Sequence, residues 1–301
     1  MTPTARSNSF IRLSTLQLAV LVALSLLFCT TLGGCGKKAA DAVKAAHNAA
    51  ALPAEVTATD RDTPEKTAKK RVDLPAGVTR VTVEGVGFAT PESVLHDPIA
   101  DVYLVSNISG SPLAVDGDGF VSKLDPAGAV LALKWIDGKA EGVELSAPKG
   151  SALANDQLYF TDIDHVRIFA RATGKQLSSV RVDGSTFLND ACSNEDGDVY
   201  VSDTGLGADF KPSGTDAIYR LDRDGKVTAI VKDPSLGRPN GLWFEGGNVR
   251  VVTFGVGELY TVGVNGSRHD AIALPKGSLD GIVQGDDARL WISSWAASGI
   301  Y

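Results

Sequence analysis

The sequence predicts an all-β protein of the propeller class, and three sets of repeated residues indicate this. Short apolar strands, hairpins with a glycine turn, and a polar triplet before each inner strand recur about every 40 to 50 residues. Four short strands per repeat at this period are typical of β-propeller blades, which are arranged radially around a central channel. No segment after residue 72 keeps the i, i+3, i+4 apolar spacing of an amphipathic helix, which argues against a helical repeat protein.

The first repeated set consists of short apolar strands, each followed by a hydroxyl residue. The strands lie at 102–105, 158–160, 199–201, 249–252 and 290–292, and the hydroxyl residues are Ser106, Thr161, Ser202, Thr253 and Ser294. The second set consists of hairpins with glycines at the turns, namely Gly128, Gly174, Gly225 and Gly266. Asp-Gly and Asn-Gly turns favour hairpins because both residues tolerate positive φ.

The third set is a polar triplet before each inner strand. Its middle residues are Glu92, Lys149, Asn189, Asn240 and Asp280, separated by 57, 40, 51 and 40 residues. The inner strands of a propeller all start at one end of the channel, so these side chains are expected to converge on a common axial pocket. Carboxylate and amide oxygens suit hard cations such as Ca²⁺, Mg²⁺ or Mn²⁺. Taken singly, however, Asn-Gly and Asp-Gly are ordinary turn dipeptides.

Three of these triplets resemble the metal-binding motifs of a known propeller family. Glu92 in PESVLHDP, Asn240 in RPNGLWF and Asp280 in SLDGIV are similar to the ligands of the gluconolactonase, regucalcin and luciferin-regenerating-enzyme family. Asn189 in FLNDACSNEDGDVYVSD is similar to a further Asn of that family, which lies near the metal. The resemblance covers about residues 85–301.

The resemblance implies a six-bladed ring and a hydrolase of sugar lactones or related esters. It implies one divalent cation (Ca²⁺, Mn²⁺, Mg²⁺ or Zn²⁺) held by Glu92, Asn189, Asn240 and Asp280, with Asp280 as the catalytic acid/base. The cation would act as a Lewis acid on the substrate carbonyl. A small-molecule substrate is expected to contact Lys149, Asn189 and Asp190.

A second ring of polar residues follows the second strand of each blade and is expected to line the substrate entrance. Its members are Asn107, Asp162, Asp164, His165 and Asp203. Lys149 departs from the oxygen-donor pattern: it could hold an anionic substrate group or repel a metal ion. The alternative function is therefore a non-catalytic propeller that binds a ligand or another protein.

The N-terminal 35 residues have the features of a bacterial lipoprotein signal peptide. Arg6 and Arg12 precede an apolar run at 16–28, and Leu-Gly-Gly-Cys35 resembles a lipobox, so Cys35 is the predicted lipidation site. Gly36, by resemblance to Gram-negative lipoproteins, favours the outer membrane. The expected location is the periplasmic side of the cell envelope, anchored to the membrane by lipid.

The rest of the chain divides into a tether and the propeller domain. Residues 36–71 are rich in Ala, Lys, Asp, Glu and Thr and predict a flexible tether. Residues 72–301 predict the propeller, with about five blades visible and the last ones incomplete. Either the ring is smaller than its relatives or the sequence is truncated, and a strand at 80–84 could help to close it. The net charge of −7 gives no indication of a nucleic-acid partner.

Overall fold

The structure is a computed structural model that describes residues 81–301. The predicted signal peptide at 1–35, the lipidation site Cys35 and the tether at 36–71 lie outside the described residues. Within 81–301, no helix has the length and apolar character needed to cross a membrane.

The described residues form five antiparallel sheets, and each sheet is one blade of a propeller. The first blade contains β1 (Pro91–Asp97), β2 (Val102–Asn107), β3 (Phe120–Leu124) and β4 (Val130–Asp137); the second contains β5 (Pro148–Ala154), β6 (Gln157–Asp162), β7 (His165–Ala170) and β8 (Gln176–Arg181). The third contains β9 (Leu188–Ser193), β10 (Val199–Asp203), β11 (Ala217–Leu221) and β12 (Val227–Lys232); the fourth contains β13 (Pro239–Glu245), β14 (Asn248–Thr253), β15 (Glu258–Gly263) and β16 (Arg268–Ala273). The fifth has three strands: β17 (Leu279–Gln284), β18 (Leu290–Ser294) and β19 (Gly299–Ile300).

The all-β propeller fold is therefore confirmed. The helical content of the described residues is limited to two short 3-10 turns, Ala208–Phe210 and Pro234–Leu236. Five blades are described, so the six-bladed ring that the family resemblance implies is not confirmed. The strand expected at 80–84 is wrong for its described part: residues 81–84 are irregular, and the Val81 and Val83 side chains lie close to the Gly128 turn.

Apolar side chains on the blade faces form the core between neighbouring blades. One cluster joins the second and third blades through Tyr159, Ile168 and Leu188, and another joins the third and fourth through Tyr200, Leu242 and Tyr260. In the first blade the second strand β2 is buried throughout and the innermost strand β1 is mostly half-buried, whereas the outermost strand of the fourth blade, β16, is exposed throughout. This pattern follows from the radial arrangement, because the middle strands are covered by neighbouring blades whereas an outermost strand faces solvent.

The inner strands pack in sequence around the channel, β1 against β5, β5 against β9, β9 against β13 and β13 against β17. Each inner strand carries a β-bulge near its start, where two of its residues lie opposite one residue of the next strand. In chain order, the bulged pair Glu92-Ser93 lies opposite Ser106, Lys149-Gly150 opposite Thr161, Asn189-Asp190 opposite Ser202, Asn240-Gly241 opposite Val252, and Asp280-Gly281 opposite Ser293. The middle residue of every predicted triplet is thus the first residue of a bulge.

This register corrects the predicted column of hydroxyl residues in the last two blades. The residues equivalent to Ser202 are Val252 in the fourth blade and Ser293 in the fifth, rather than Thr253 and Ser294. The sequence pattern missed the shift because an alignment of strand ends cannot locate the extra residue that a bulge inserts.

Candidate functional site

The bulges lie at the starts of the inner strands, the end of the channel that we call its mouth, and the residues that begin them are named the mouth cluster: Glu92, Lys149, Asn189, Asn240 and Asp280. A bulge bends its strand and redirects a side chain, and bulges are common beside active sites. Asp190, the second residue of the bulge in β9, belongs to the same region.

Charged residues from three other blades affect the pKa of Glu92. Burial raises its pKa to about 8, and the neighbouring carboxylates of Asp280 and Asp190 add to this rise, whereas Lys149 opposes it. Charged groups of the second, third and fifth blades thus act on the carboxyl of Glu92 in the first.

Asp190 joins the third blade to the fourth. Its Oδ2 accepts a hydrogen bond from the backbone N–H of Leu242 at 2.8 Å. Burial raises the pKa of Asp190 to about 7, the backbone N–H groups of Leu242 and Ala191 oppose this rise, and the charge of Asp280 adds to it. Asp190 therefore has both a structural contact and a place among the acidic groups of the mouth.

Asp280 is held by two side chains from different blades. Burial raises its pKa, while hydrogen bonds from Trp295 and Asn240 lower it. The Asn240 contact joins Nδ2 to Asp280 Oδ1 at 3.0 Å, which places the fourth and fifth blades side by side at the mouth.

Lys149 has no solvent-exposed surface. Its Nζ donates to the carbonyl oxygen of Ala147 at 3.2 Å and lies 4.6 Å from the centre of the Phe187 ring. Burial lowers its pKa to about 8, and the negative charges of Asp162 and Glu92 oppose this. A substrate would therefore reach this ammonium group only after a rearrangement of the side chains around it.

Asn189 is nearly buried, and its Nδ2 donates to Thr204 Oγ1 at 2.9 Å. Thr204 follows β10 of the same blade, so this amide does not cap its own turn. Within residues 81–301, no hydrogen-bond donor is directed at Asn189 Oδ1. The oxygen of this amide is thus free to accept a bond from a ligand.

Two acids of the predicted entrance ring hold the backbone before the inner strands. Asp162 is fully buried and accepts hydrogen bonds from the N–H groups of Ser146 and Ala147, besides an ion pair with Arg167. Asp203, also fully buried, accepts the N–H groups of Thr186 and Phe187. These contacts account for both carboxylates, and we leave the two residues out of the proposed site.

His165 lies at the start of β7 beside Asp164. Its Nδ1 is 2.6 Å from Asp164 Oδ1, and Asp164 Oδ2 also pairs with Arg181 Nε at 3.3 Å. Both residues are partly exposed, so they remain available to a substrate at the rim. No contact in the described structure joins His165 to the mouth cluster.

The donor types and the charge of the mouth cluster fit a divalent cation. The carboxylates of Glu92, Asp190 and Asp280 and the ammonium group of Lys149 together carry a formal charge of about −2 when all are ionised, and Lys149 acts on Glu92 among them. Amide oxygens of Asn189 and Asn240 complete a hard-oxygen set. Within residues 81–301, however, no three His, Cys, Asp or Glu side chains alone form a ready metal-binding group, so the fit depends on the two amides.

Two features of this site were not predicted from the sequence. The first is the set of β-bulges. Pro91, Pro148 and Pro239 at the strand starts were a usable signal for them, because proline favours the first position of a strand or a bulge. The other is the close approach of inner strands at two glycines. A Cβ on Gly150 would overlap Asp190, and one on Gly241 would overlap the carbonyl oxygen of Asp280.

Comparisons with known proteins support the fold. No family model matches the chain, and no curated protein sequence matches it. A catalytically inactive variant of virginiamycin B lyase from Staphylococcus aureus, crystallised with quinupristin, has a TM-score of 0.52 at 14% identity and covers 73% of this chain and 68% of its own. A nidogen–laminin complex gives 0.55 at 16% identity, with 69% and 73% covered.

A structure solved as a candidate gluconolactonase also matches, with a TM-score of 0.52 at 19% identity, and covers 69% of this chain and 72% of its own. The structures similar to this propeller thus include a gluconolactonase-type propeller beside a lyase and a protein-binding complex. At these identities the likeness establishes the propeller fold and nothing about the substrate.

Proposed function

We propose that this protein is a divalent-metal-dependent hydrolase of a lactone or related ester. The observation that carries the proposal is that the buried carboxyls of Glu92, Asp190 and Asp280, from three blades, influence one another's pKa, with the Asn240 amide hydrogen-bonded to Asp280. Such a cluster is costly in a metal-free protein because buried like charges repel. The similar candidate gluconolactonase adds support at the level of fold.

The proposed ligands of one Ca²⁺, Mn²⁺, Mg²⁺ or Zn²⁺ ion are Glu92, Asn189, Asn240 and Asp280. When bound, the cation would supply Lewis-acid polarisation of the substrate carbonyl and a lower pKa for an attacking water. Asp280 is suited to move the proton, because burial raises its pKa above the ordinary value of an aspartate and hydrogen bonds from Trp295 and Asn240 fix its orientation. Asn189 Oδ1 and the rim residue His165 are the proposed substrate contacts.

The alternative is a non-catalytic propeller that binds a ligand or a protein at the same mouth. The buried ammonium group of Lys149 favours it, since a positive charge close to Glu92 opposes cation binding. The nidogen–laminin complex is an example of a similar fold in a protein–protein complex.

Metal binding and turnover on the purified protein distinguish the two functions. Calorimetric titration with each cation and hydrolysis of a panel of sugar and aliphatic lactones would be compared for the wild type and for Asp280→Asn. We expect this change to weaken cation binding about tenfold or more and to abolish hydrolysis. Asp183→Asn, at a side chain that is 92% exposed in the second blade, is the matched control and should behave as the wild type. Cation binding without turnover on any ester would favour the non-catalytic alternative.

We also propose the envelope location expected from the sequence, with the chain anchored through lipid on Cys35. Labelling cells with a palmitate analogue should mark the wild type and leave Cys35→Ser unlabelled. Label on the Cys35→Ser protein would contradict the assignment of this cysteine.

A further inference from the structure

Three buried hydroxyl groups connect consecutive blades at the channel mouth. The bonds join Ser106 Oγ to the carbonyl oxygen of Lys149 at 2.7 Å, Thr161 Oγ1 to that of Asn189 at 2.5 Å, and Ser202 Oγ to that of Asn240 at 2.7 Å. Each bond runs from the second strand of one blade to the first bulge residue of the next inner strand. The acceptors are therefore the backbone groups of three mouth-cluster residues.

The bulges explain why these carbonyl groups need a donor from outside their own blade. A bulge takes one residue out of the ladder of its own sheet, so its backbone groups must find other partners. At Lys149, Asn189 and Asn240 the hydroxyl of the preceding blade is that partner. The second strand of one blade thereby fixes the backbone that carries a mouth side chain of the next.

Ser202 makes two such bonds. It accepts a hydrogen bond from the backbone N–H of Asp190 at 3.0 Å and donates to Asn240. Ser106 repeats the pattern, accepting from the N–H of Ser93 at 3.1 Å. In the fourth blade the equivalent residue is Val252, which has no hydroxyl, so the same bond cannot reach Asp280.

We propose that Ser202 and Thr161 are positioning residues of the mouth cluster, which hold the backbone of Asn240 and Asn189 and thereby fix the orientation of their amide side chains, that of Asn240 toward Asp280 and that of Asn189 toward Thr204. The consequence for cation binding rests on the proposed function; the consequence for amide orientation does not. This role differs from general stabilisation, because a similar bond between blades elsewhere has an acceptor residue that does not lie at the mouth. Ser193 Oγ donates to the carbonyl oxygen of Leu153 at 2.8 Å, also between blades, but at the opposite end of the inner strands.

The variants follow from these equivalences. Ser202→Ala removes the hydroxyl, and Ser202→Thr restores it in the form that Thr161 has at the same position of the second blade. Ser193→Ala is the matched control, since it removes an inter-blade bond of the same kind away from the mouth. Thr161→Val provides a second test that keeps the side-chain volume, and Val252 demonstrates that valine fits this position.

The first measurement uses metal-free protein and reads the side-chain amide resonances of Asn240 and Asn189 by NMR. We expect Ser202→Ala to shift or broaden the Asn240 amide, Thr161→Val to do so for the Asn189 amide, and Ser202→Thr to restore the wild-type signal. Ser193→Ala should leave both amides unchanged. Equal effects of Ser202→Ala and Ser193→Ala, or no effect of Ser202→Ala and Thr161→Val, would overturn the proposal.

The second measurement is calorimetric titration with Ca²⁺ and Mn²⁺. Because groups that orient a metal ligand typically contribute about 10- to 100-fold to affinity, Ser202→Ala should bind at least about tenfold more weakly than the wild type. Ser202→Thr and Ser193→Ala should stay within about twofold of it. A wild type that binds no cation would refute the proposed function, and the metal-free amide signals would still decide the positioning role.

Discussion

Lys149 determines how much negative charge the mouth cluster carries. Its ammonium group is fully buried with one hydrogen bond to a carbonyl oxygen, and it lowers the pKa of Glu92 against the combined effect of burial and two acids. A buried charge of this kind is expensive, and removing one member of a buried charge pair leaves the other member uncompensated. The residue therefore serves as a fixed counter-ion where a divalent cation is proposed to bind.

Lys149→Met should bind Ca²⁺ or Mn²⁺ at least about tenfold more tightly than the wild type, because removing a nearby positive charge strengthens the attraction of the acids for a cation. Calorimetric titration measures the change, and a denaturant melt should find the metal-free variant less stable than the wild type, because buried Glu92 then lacks its counter-ion. Lys149→Arg keeps the charge and should show no gain in affinity. Equal affinities of the Met variant and the wild type would mean that Lys149 does not act on the cation site.

The metal-free protein should lose stability as the pH rises from about 5 to 8. The pKa of Glu92 is about 8 in the folded protein against an ordinary value of 4.5, and that of Asp190 is about 7 against 3.8. Between those values the folded state holds protons that the unfolded chain has released, so each unit of pH costs the folded state free energy. Lys149, whose pKa is lowered from 10.5 to about 8, acts in the opposite direction only above pH 8.

Thermal melts in EDTA at pH 5, 6, 7 and 8 test this dependence. Glu92→Gln should flatten the decline, because the Glu92 proton no longer distinguishes the folded from the unfolded state. A decline of the same steepness in both proteins would show that another group causes it. Asp97, whose pKa is lowered to about 2, loses its contribution only at pH values below this range.

At the level of the strands, the bulges bring neighbouring inner strands into backbone contact at two glycines. Gly241→Ala should lower the free energy of unfolding by about 1–3 kcal/mol, because a Cβ there overlaps the Asp280 carbonyl oxygen and neither backbone can move freely. The same displacement should weaken cation binding. Gly207→Ala is the control: its φ of −106° suits alanine and its Cβ would make only ordinary contacts at 3.7 Å and beyond. Denaturant melts and titrations of both variants give the comparison.

The strands and hairpins could be predicted from the sequence, but the register in which the strands pair at the bulges could not. Alternating apolar residues and Gly turns were sufficient to predict the strands and hairpins, since both depend on local chemistry. Thr253 was aligned with Ser202, whereas the structure pairs Val252 with the bulge. A bulge changes pairing by one residue without changing the apolar pattern of the strand, so its position depends on packing against the neighbouring blade. The hydrogen bonds that Asp162 and Asp203 accept from backbone N–H groups could not be predicted either, because they too depend on how the folded chain packs.

For the whole molecule, repetition predicted five blades and a shared channel mouth, because equivalent strand starts must lie at one end. What repetition could not predict was the charge balance there, which depends on burial and on the distances among side chains from different blades. Glu92 and Asp280 interact although one lies in the first blade and the other in the fifth. The mouth cluster thus joins the two blades that are farthest apart in sequence.

A cation bound by Glu92, Asn189, Asn240 and Asp280 should therefore stabilise the ring at the first, third, fourth and fifth blades together. At a concentration 100 times its dissociation constant, a ligand that binds only the folded state adds about 2.7 kcal/mol to the free energy of unfolding. Hydrogen exchange should slow by up to about 100-fold in β1 and β17 wherever exchange requires the ring to open, and much less in the exposed strand β16. In Asp280→Asn the protection of β17 should disappear. Protection confined to β9 and β13 would mean that the ion does not join the first blade to the fifth, and would remove Glu92 and Asp280 from its ligands.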